Sequence, residues 1–350
     1  MRVFHTQRIG EEAEVGAARR AVHRFAASLG FTEQELAELD IVVQEIGTNA
    51  ARYAKPKGGC LHWTRMLGDE PGLELFYWDK GPGIYDIDRA LRDGVSTSGS
   101  LGGGLGAIRR LMDDFEVYST VGGTTARLMR PRRTTYGTAL LGRKWVAASR
   151  PTPARQANAI YKRVGVWTRH RTREDANGDA YFIHQHEKKT LYAVIDGLGH
   201  GHGARAAAEV AIDVLAQWRG EPLDELFWAT NDALRATRGA VMAACVVDTA
   251  ESVFSYAGVG NVDVRVFDAP SSIRPVPNNG TLGVRLSNVR LWKHNWADGA
   301  TIVMSSDGLS STWDIKAYPS LLRKSPQMMA GILMRDYGRD SDDATVLVAR

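Results

Sequence analysis

Apolar positions in the first third of the chain alternate between two periods. Leu36, Leu39, Val42, Val43 and Ile46 recur at spacings of three and four, which predicts a helix. Thr32, with Glu35 three residues on, predicts the capping box that starts it. Residues 13–29 carry a second amphipathic pattern. Residues 60–66 and 73–78 are short runs of apolar and aromatic residues and are expected as strands. Residues 105–115 are expected as a helix entered from a glycine loop. Residues 115–119 and 124–129 are expected as a closing hairpin around Gly122-Gly123.

The texture changes between Pro131 and Pro153, where residues 139–148 are expected as a short strand or helix, and beyond it strand patterns dominate. Strands are expected over 163–169, 180–184, 191–195, 240–247, 252–258, 262–267, 300–305 and 344–349. A strong helix is expected over 204–218, with others over 223–237, 315–322 and 327–337. The division that follows is a first domain over 1–135, a linker over 136–157 and a second domain over 158–350. The length of 350 residues fits two domains at roughly 100–200 residues each.

Composition narrows the class. The 44% of hydrophobic residues lets each half bury its own core. The net charge of +4 is spread along the chain, apart from a modest cluster at Arg127, Arg130, Arg132 and Arg133. No aromatic-interleaved basic module accompanies it, so neither nucleic acid nor a membrane is expected as a partner. Cys60 and Cys245 show no pairing or metal-type spacing, which fits a reducing compartment. Residues 1–10 lack an apolar signal core, and no apolar run approaches the ~20 residues of a membrane span, so a cytoplasmic location is expected.

Three segments of the first half suit a nucleotide. Glu45 and Asn49 lie one turn apart on a helix and so share a face. The acid can orient or deprotonate a nucleophile, and the amide oxygen can ligate Mg2+. Asp79-Lys80-Gly81-Pro82-Gly83 follows a strand, where a carboxylate can accept a hydrogen bond from an adenine amino group and glycines let backbone approach a ligand. Gly102-Gly103-Gly104-Leu105-Gly106 enters a helix, whose free N–H groups suit phosphate. Alone, a glycine run is more often a flexible loop, and Glu45 with Asn49 a solvated helix face.

Together, in this order, these segments resemble the Bergerat-fold ATPases of the GHKL superfamily over residues 10–130, an α/β sandwich, and most nearly the RsbT- and RsbW-like serine kinases. The stretch from Gly104 to Phe115 carries much of that likeness. No helix with a phosphoacceptor histidine precedes Glu45, so a sensor histidine kinase is not expected. The resemblance implies that Glu45 polarises an acceptor hydroxyl and that Asn49 holds Mg2+. It further implies that Asp79, Gly81, Gly83 and the loop Gly102, Gly103, Gly104, Leu105 and Gly106 bind ATP. Thr124 and Thr125 resemble the late threonine beside the adenine pocket.

In the second half, Asp179, Asp196, Asp307 and Asp342 fall at strand ends, where carboxylates can converge. Hard oxygen donors suit Mg2+ or Mn2+. Two such ions can share a water and lower its pKa for in-line attack on phosphorus. One Asp-Gly alone is as often an ordinary turn. The set, above all Asp196-Gly197-Leu198-Gly199-His200-Gly201, resembles the PPM-type phosphatases of the SpoIIE/RsbX branch, an αββα sandwich, over residues 160–350. That resemblance implies that Asp196 bridges two Mn2+ or Mg2+ ions and that the Gly197 carbonyl helps bind one. Asp307 and Asp342 would ligate the second, and Asp179 would serve directly or through water, with Asp343 the alternative to Asp342. Asn177-Gly178-Asp179 departs from the usual Gly-Gly-Asp. No clear arginine for substrate phosphate stands at the domain's start, where Arg169, Arg171 and Arg173 are candidates. His200 and His202 are expected near the site rather than as ligands.

The combined expectation is a bifunctional partner-switching regulator. Its kinase and phosphatase would act on a Ser or Thr of a STAS-domain phosphoprotein, with sigma-factor regulators as further partners, as monomer or homodimer. Two alternatives stand: a first domain that only regulates the phosphatase, and a non-catalytic scaffold.

Overall fold

The computed structural model describes residues 2–54, 58–68, 70–92, 104–121, 136–152, 159–267 and 272–350. The chain divides into two compact units: Arg2–Lys162 with Asp314–Lys324, and Arg163–Trp313 with Ser325–Arg350. Among the described residues no helix is long and apolar enough to cross a membrane.

The first unit is built on a five-stranded antiparallel sheet. Its strands are β1 (His5–Ile9), β2 (Gly59–Arg65), β3 (Gly72–Asp79), β4 (Asp114–Thr120) and β5 (Gly137–Trp145), in the order β1-β2-β3-β5-β4. The helices Glu12–Ser28, Glu33–Tyr53 and Gly104–Leu111 lay Val15, Val22, Leu39, Val43, Ile46 and Ile108 on Leu61, Leu75 and Leu140 of the sheet. The expected capping box is present. The Thr32 hydroxyl accepts the Glu35 N–H, and the Glu35 carboxylate accepts the Thr32 N–H at 2.8 Å.

Within the linker expected over 136–157, the short strand or helix expected over 139–148 is a strand that belongs to this sheet. Residues 137–145 form β5, buried along its whole length and paired with β3 on one side and β4 on the other. Residues 137–142 are small or apolar apart from Thr138, and the buried Arg143 and Lys144 are paired with Glu74 and Asp114 and with Glu38. β4 therefore pairs with β5; residues 124–129, expected as its hairpin partner, lie outside the described residues. Glu74 on β3 accepts from Arg2 Nη2 at 2.7 Å and Arg143 Nε at 2.8 Å. Burial alone would raise the Glu74 pKa, but the two guanidinium groups outweigh it and hold the carboxyl below its ordinary value.

The second unit contains two five-stranded sheets. One runs β13 (Trp292–Asn295), β10 (Val253–Val259), β9 (Ala240–Asp248), β8 (Lys189–Gly197), β7 (Asp179–His186). The other runs β12 (Ser272–Ile273), β11 (Asp263–Phe267), β14 (Thr301–Ser305), β15 (Ala344–Ala349), β6 (Val164–Arg169). The helix His202–Leu215 packs on β7 and β8, and Pro326–Tyr337 on β6 and β15, while β14 and β15 meet β7 and β8 between them. This is the αββα arrangement. Residues 315–322, expected as a helix, form only the short 3-10 turns Ile315–Ala317 and Leu321–Arg323. Pro319 between them has no N–H for a helical bond.

Candidate functional sites

In the first unit, Glu45 and Asn49 are half-buried on the helix Glu33–Tyr53. Gly104, which opens the helix Gly104–Leu111, lies against both. A Cβ on Gly104 would sit 2.7 Å from Glu45 Oε2 and 3.3 Å from Asn49 Nδ2. Leu105 packs on the core and Gly106 is buried. The structure thus brings together two of the three expected segments.

Asp79 ends β3. Its Oδ1 accepts the Gly81 N–H at 2.7 Å and the Thr138 N–H at 3.2 Å, and its Oδ2 accepts the Tyr77 hydroxyl at 3.0 Å. Burial, then Asp79 itself, pushes the Tyr77 pKa up, so the phenol stays a donor. Gly81 sits where a Cβ would be 2.9 Å from the Tyr53 carbonyl oxygen. Gly83 has φ +81°, and a Cβ there would be 2.3 Å from the Thr120 carbonyl oxygen, so no other residue fits without displacement. Both glycines let backbone pack directly on backbone and hold the loop after Asp79 close to the sheet and the helix end.

Gly102, Gly103, Thr124 and Thr125 lie outside the described residues. Thr138 was missed. Besides its N–H on Asp79, its hydroxyl lies 3.0 Å from Ser119 Oγ, which accepts the Ile84 N–H at 2.7 Å. The chain has two Gly-Thr steps after Phe115, Gly123-Thr124 and Gly137-Thr138. The first lies outside the described residues, and the second stands beside Asp79.

In the second unit, Asp179 and Asp196 face each other across β7 and β8. Asp179 is buried and accepts the Ser306 hydroxyl at 2.5 Å. Burial, then Asp196, raises the Asp179 pKa well above its ordinary value. Asp196 is pushed up to about 7, first by burial and then by Asp307, Asp342 and Asp343. Asp307 is raised by burial and Asp342, against Arg339 and the Asn261 amide, which donates to its Oδ2 at 2.8 Å. A group of carboxylates that resist ionisation together is a site short of positive charge, and its donors are the hard oxygens that Mn2+ or Mg2+ prefer. Among the described residues no three acidic, His or Cys side chains gather tightly enough to chelate one ion as they stand.

Asp343 differs from Asp342. Both its oxygens are taken, Oδ1 by the Arg171 N–H and Oδ2 by the Gly178 N–H, each at 2.7 Å. It ties two loops together, while Asp342 Oδ1 accepts the Asp343 N–H at 3.0 Å. Asn177 explains the departure from Gly-Gly-Asp: its amide donates to Thr168 Oγ1 at 2.8 Å and its carbonyl accepts the Asp179 N–H at 3.0 Å. Gly197 admits no side chain, since a Cβ would lie 2.1 Å from the Ala204 carbonyl oxygen. His200 pairs with Glu174 at 2.9 Å and His202 is exposed. Arg169 pairs with Asp340.

Comparison with known proteins follows the same division. The histidine kinase-like ATPase domain family matches residues 10–130, and the stage II sporulation protein E (SpoIIE) family matches residues 186–350. The serine/threonine-protein kinase RsbT of Bacillus subtilis (strain 168) is 36% identical over 115 residues, 33% of this chain and 86% of the relative. The phosphoserine phosphatase RsbX of the same organism is 25% identical over 175 residues, 49% of this chain and 86% of the relative. A solved structure described under "The bacterial stressosome: a modular system that has been adapted to control secondary messenger signaling" is 34% identical with a TM-score of 0.52. It covers 54% of this chain and 98% of that one.

Proposed function

The chain belongs to the RsbT-like histidine kinase-type ATPases in its first half and to the SpoIIE-type PPM phosphatases in its second, and from that premise we propose that it is a bifunctional partner-switching regulator. Its first unit transfers the γ-phosphoryl group of ATP to a Ser or Thr of a STAS-domain protein, and its second removes such a phosphate. Sigma-factor regulators are the wider partners, and the chain acts as monomer or homodimer in the cytoplasm.

The observation that carries this reading is that each unit presents its own reacting acid in a suitable setting. Glu45 faces the loop end at Gly104, and Asp196 stands among Asp307, Asp342 and Asp343. In phosphoryl transfer the protein contributes mostly positioning and charge stabilisation. Glu45 orients the acceptor hydroxyl and takes its proton. Asn49 would hold Mg2+, Asp79 would accept a hydrogen bond from the adenine amino group, and the Gly104–Gly106 backbone would donate to the phosphates. Thr138 takes the place beside Asp79 first assigned to Thr124 and Thr125.

In the second unit, Asp196, the Gly197 carbonyl, Asp307 and Asp342 would hold two Mn2+ or Mg2+, with Asp179 as a further donor, directly or through water. When bound, these ions supply charge neutralisation and an acidified water. Asp343 keeps the Asp342 loop in register with Gly178. The test uses full-length protein with a STAS-domain substrate. Glu45→Ala is expected to lose phosphotransfer and keep phosphatase activity, and Asp196→Asn the reverse. A Glu45→Ala protein that still phosphorylates would overturn the kinase half, and an active Asp196→Asn phosphatase the other half.

A further inference from the structure

The carboxylates of the phosphatase site repel a phosphate ester, so an anionic substrate needs a cation of the protein's own beside the ions. The sequence offers no clear arginine for this at the domain's start. A different one lies against the most specific loop of the site. Arg238 stands in the turn before β9, and its guanidinium lies along the backbone of the loop that follows Asp196. A Cβ on Gly203 would be 2.6 Å from its Cζ and Nε, and one on Gly199 would be 3.3 Å from its Nη1.

Backbone bonds fix this placement. The Gly239 carbonyl accepts the Leu198 N–H at 3.0 Å, and the Gly239 N–H donates to Thr237 Oγ1 at 3.0 Å. Gly239 has φ +85°, which glycine alone adopts readily, so the turn forms without strain. Ala240 and Val241 then pair with Gly197 and Asp196. The side chain is thus carried by a segment bonded to the Asp196 loop itself.

Its donors are open. Arg238 is solvent-exposed and, among the described residues, makes no hydrogen bond or ion pair. Other arginines nearby are engaged: Arg339 Nη1 donates to the Asp307 carbonyl at 3.2 Å, Arg169 pairs with Asp340, and Arg205 with Glu209. The acid close to Gly201, Glu174, is held by His200. An exposed arginine is usually just solvated. This one lies on Gly203, where any side chain would displace it, and close to Gly199, with a planar fork suited to two phosphate oxygens.

We propose that Arg238 binds the substrate's phosphoryl group, orienting a phosphoserine or phosphothreonine ester over the Asp196 loop. The proposal rests on the phosphatase reading of that loop, and the test separates the two.

Full-length protein loaded with Mn2+ is assayed on a phosphoserine peptide, and binding of inorganic phosphate is measured by calorimetry on the same samples. Arg238→Ala is expected to raise KM for the peptide and Kd for phosphate by about tenfold or more, with Mn2+ affinity unchanged. Arg238→Lys is expected to recover part of the loss. Gly203→Ala, which displaces the guanidinium without removing it, is expected to weaken phosphate binding in the same direction. Arg235→Ala, three residues away and paired with Asp232, is expected to match wild type. Phosphate affinity and KM unchanged in Arg238→Ala would overturn the proposal. Wild-type protein that binds phosphate through Arg238 but hydrolyses nothing would overturn the phosphatase reading and leave an anion site. Wild type that does neither would overturn both.

Discussion

Gly104 and Glu45 touch across two helices: a Cβ on the glycine would come within 2.7 Å of the carboxylate oxygen. The obstructed atom is the far end of a flexible side chain, so Gly104→Ala is cheap for the fold and costly for the geometry. Thermal stability is expected to change by less than about 1 kcal/mol, since alanine is the better helix former. Phosphotransfer is expected to fall by about tenfold or more as Glu45 is turned away. A thermal melt and a radiolabelled ATP assay on the same sample check both. Undiminished transfer would place the acceptor hydroxyl elsewhere.

Asp196 carries a second trade between stability and chemistry. Its folded pKa, about 7, lies above the ordinary value of 3.8. The folded protein therefore loses stability relative to the unfolded chain as pH rises from about 4 to 7, and bears the full cost above that. Asp196→Asn removes this cost. At pH 8 without divalent ions the variant is expected to be more stable than wild type by about 1–3 kcal/mol. Mn2+ is expected to raise the wild-type melting temperature far more than that of the variant. Equal Mn2+ effects on the two proteins would remove Asp196 from the binding site.

His62 makes the first unit acid-sensitive. Its ring is buried against Trp78, its Nδ1 lies 2.8 Å from Thr6 Oγ1, and burial pushes its pKa down to about 3. The unfolded chain takes up a proton near pH 6.5 that the folded chain refuses until about pH 3. Stability is therefore lost progressively as pH falls through that window, by up to about 2 kcal/mol at pH 5. His62→Phe is expected to flatten this part of the pH profile in urea titrations. An unchanged slope would assign the acid sensitivity to other groups.

The sequence was most informative where one residue type had a single physical use. The capping box at Thr32 and Glu35, the alternation of helix and strand periods, and the strand-end positions of Asp79, Asp196 and Asp307 all lie where expected. Three features were less legible. β5 follows a Pro- and Arg-rich stretch, so residues 139–148 read as a short strand or helix within a linker, and pairing with β3 and β4 places them in the sheet. Thr138 then escaped notice because its role depends on that pairing, while an earlier Gly-Thr step gave the same local signal. The separate duties of Asp342 and Asp343 were likewise invisible, since adjacent aspartates differ only in which loops reach them.

The most direct test of opposed activities on one chain is a phosphate-affinity gel with full-length protein and a STAS-domain substrate. Asp196→Asn with Mg-ATP is expected to give a shifted substrate band that persists. Adding Glu45→Ala protein with Mn2+, after ATP is removed, is expected to return that band to its starting position. No shifted band with Asp196→Asn, in a sample that binds ATP, would contradict the kinase assignment for that substrate, and a shifted band that Glu45→Ala leaves in place would contradict the phosphatase assignment.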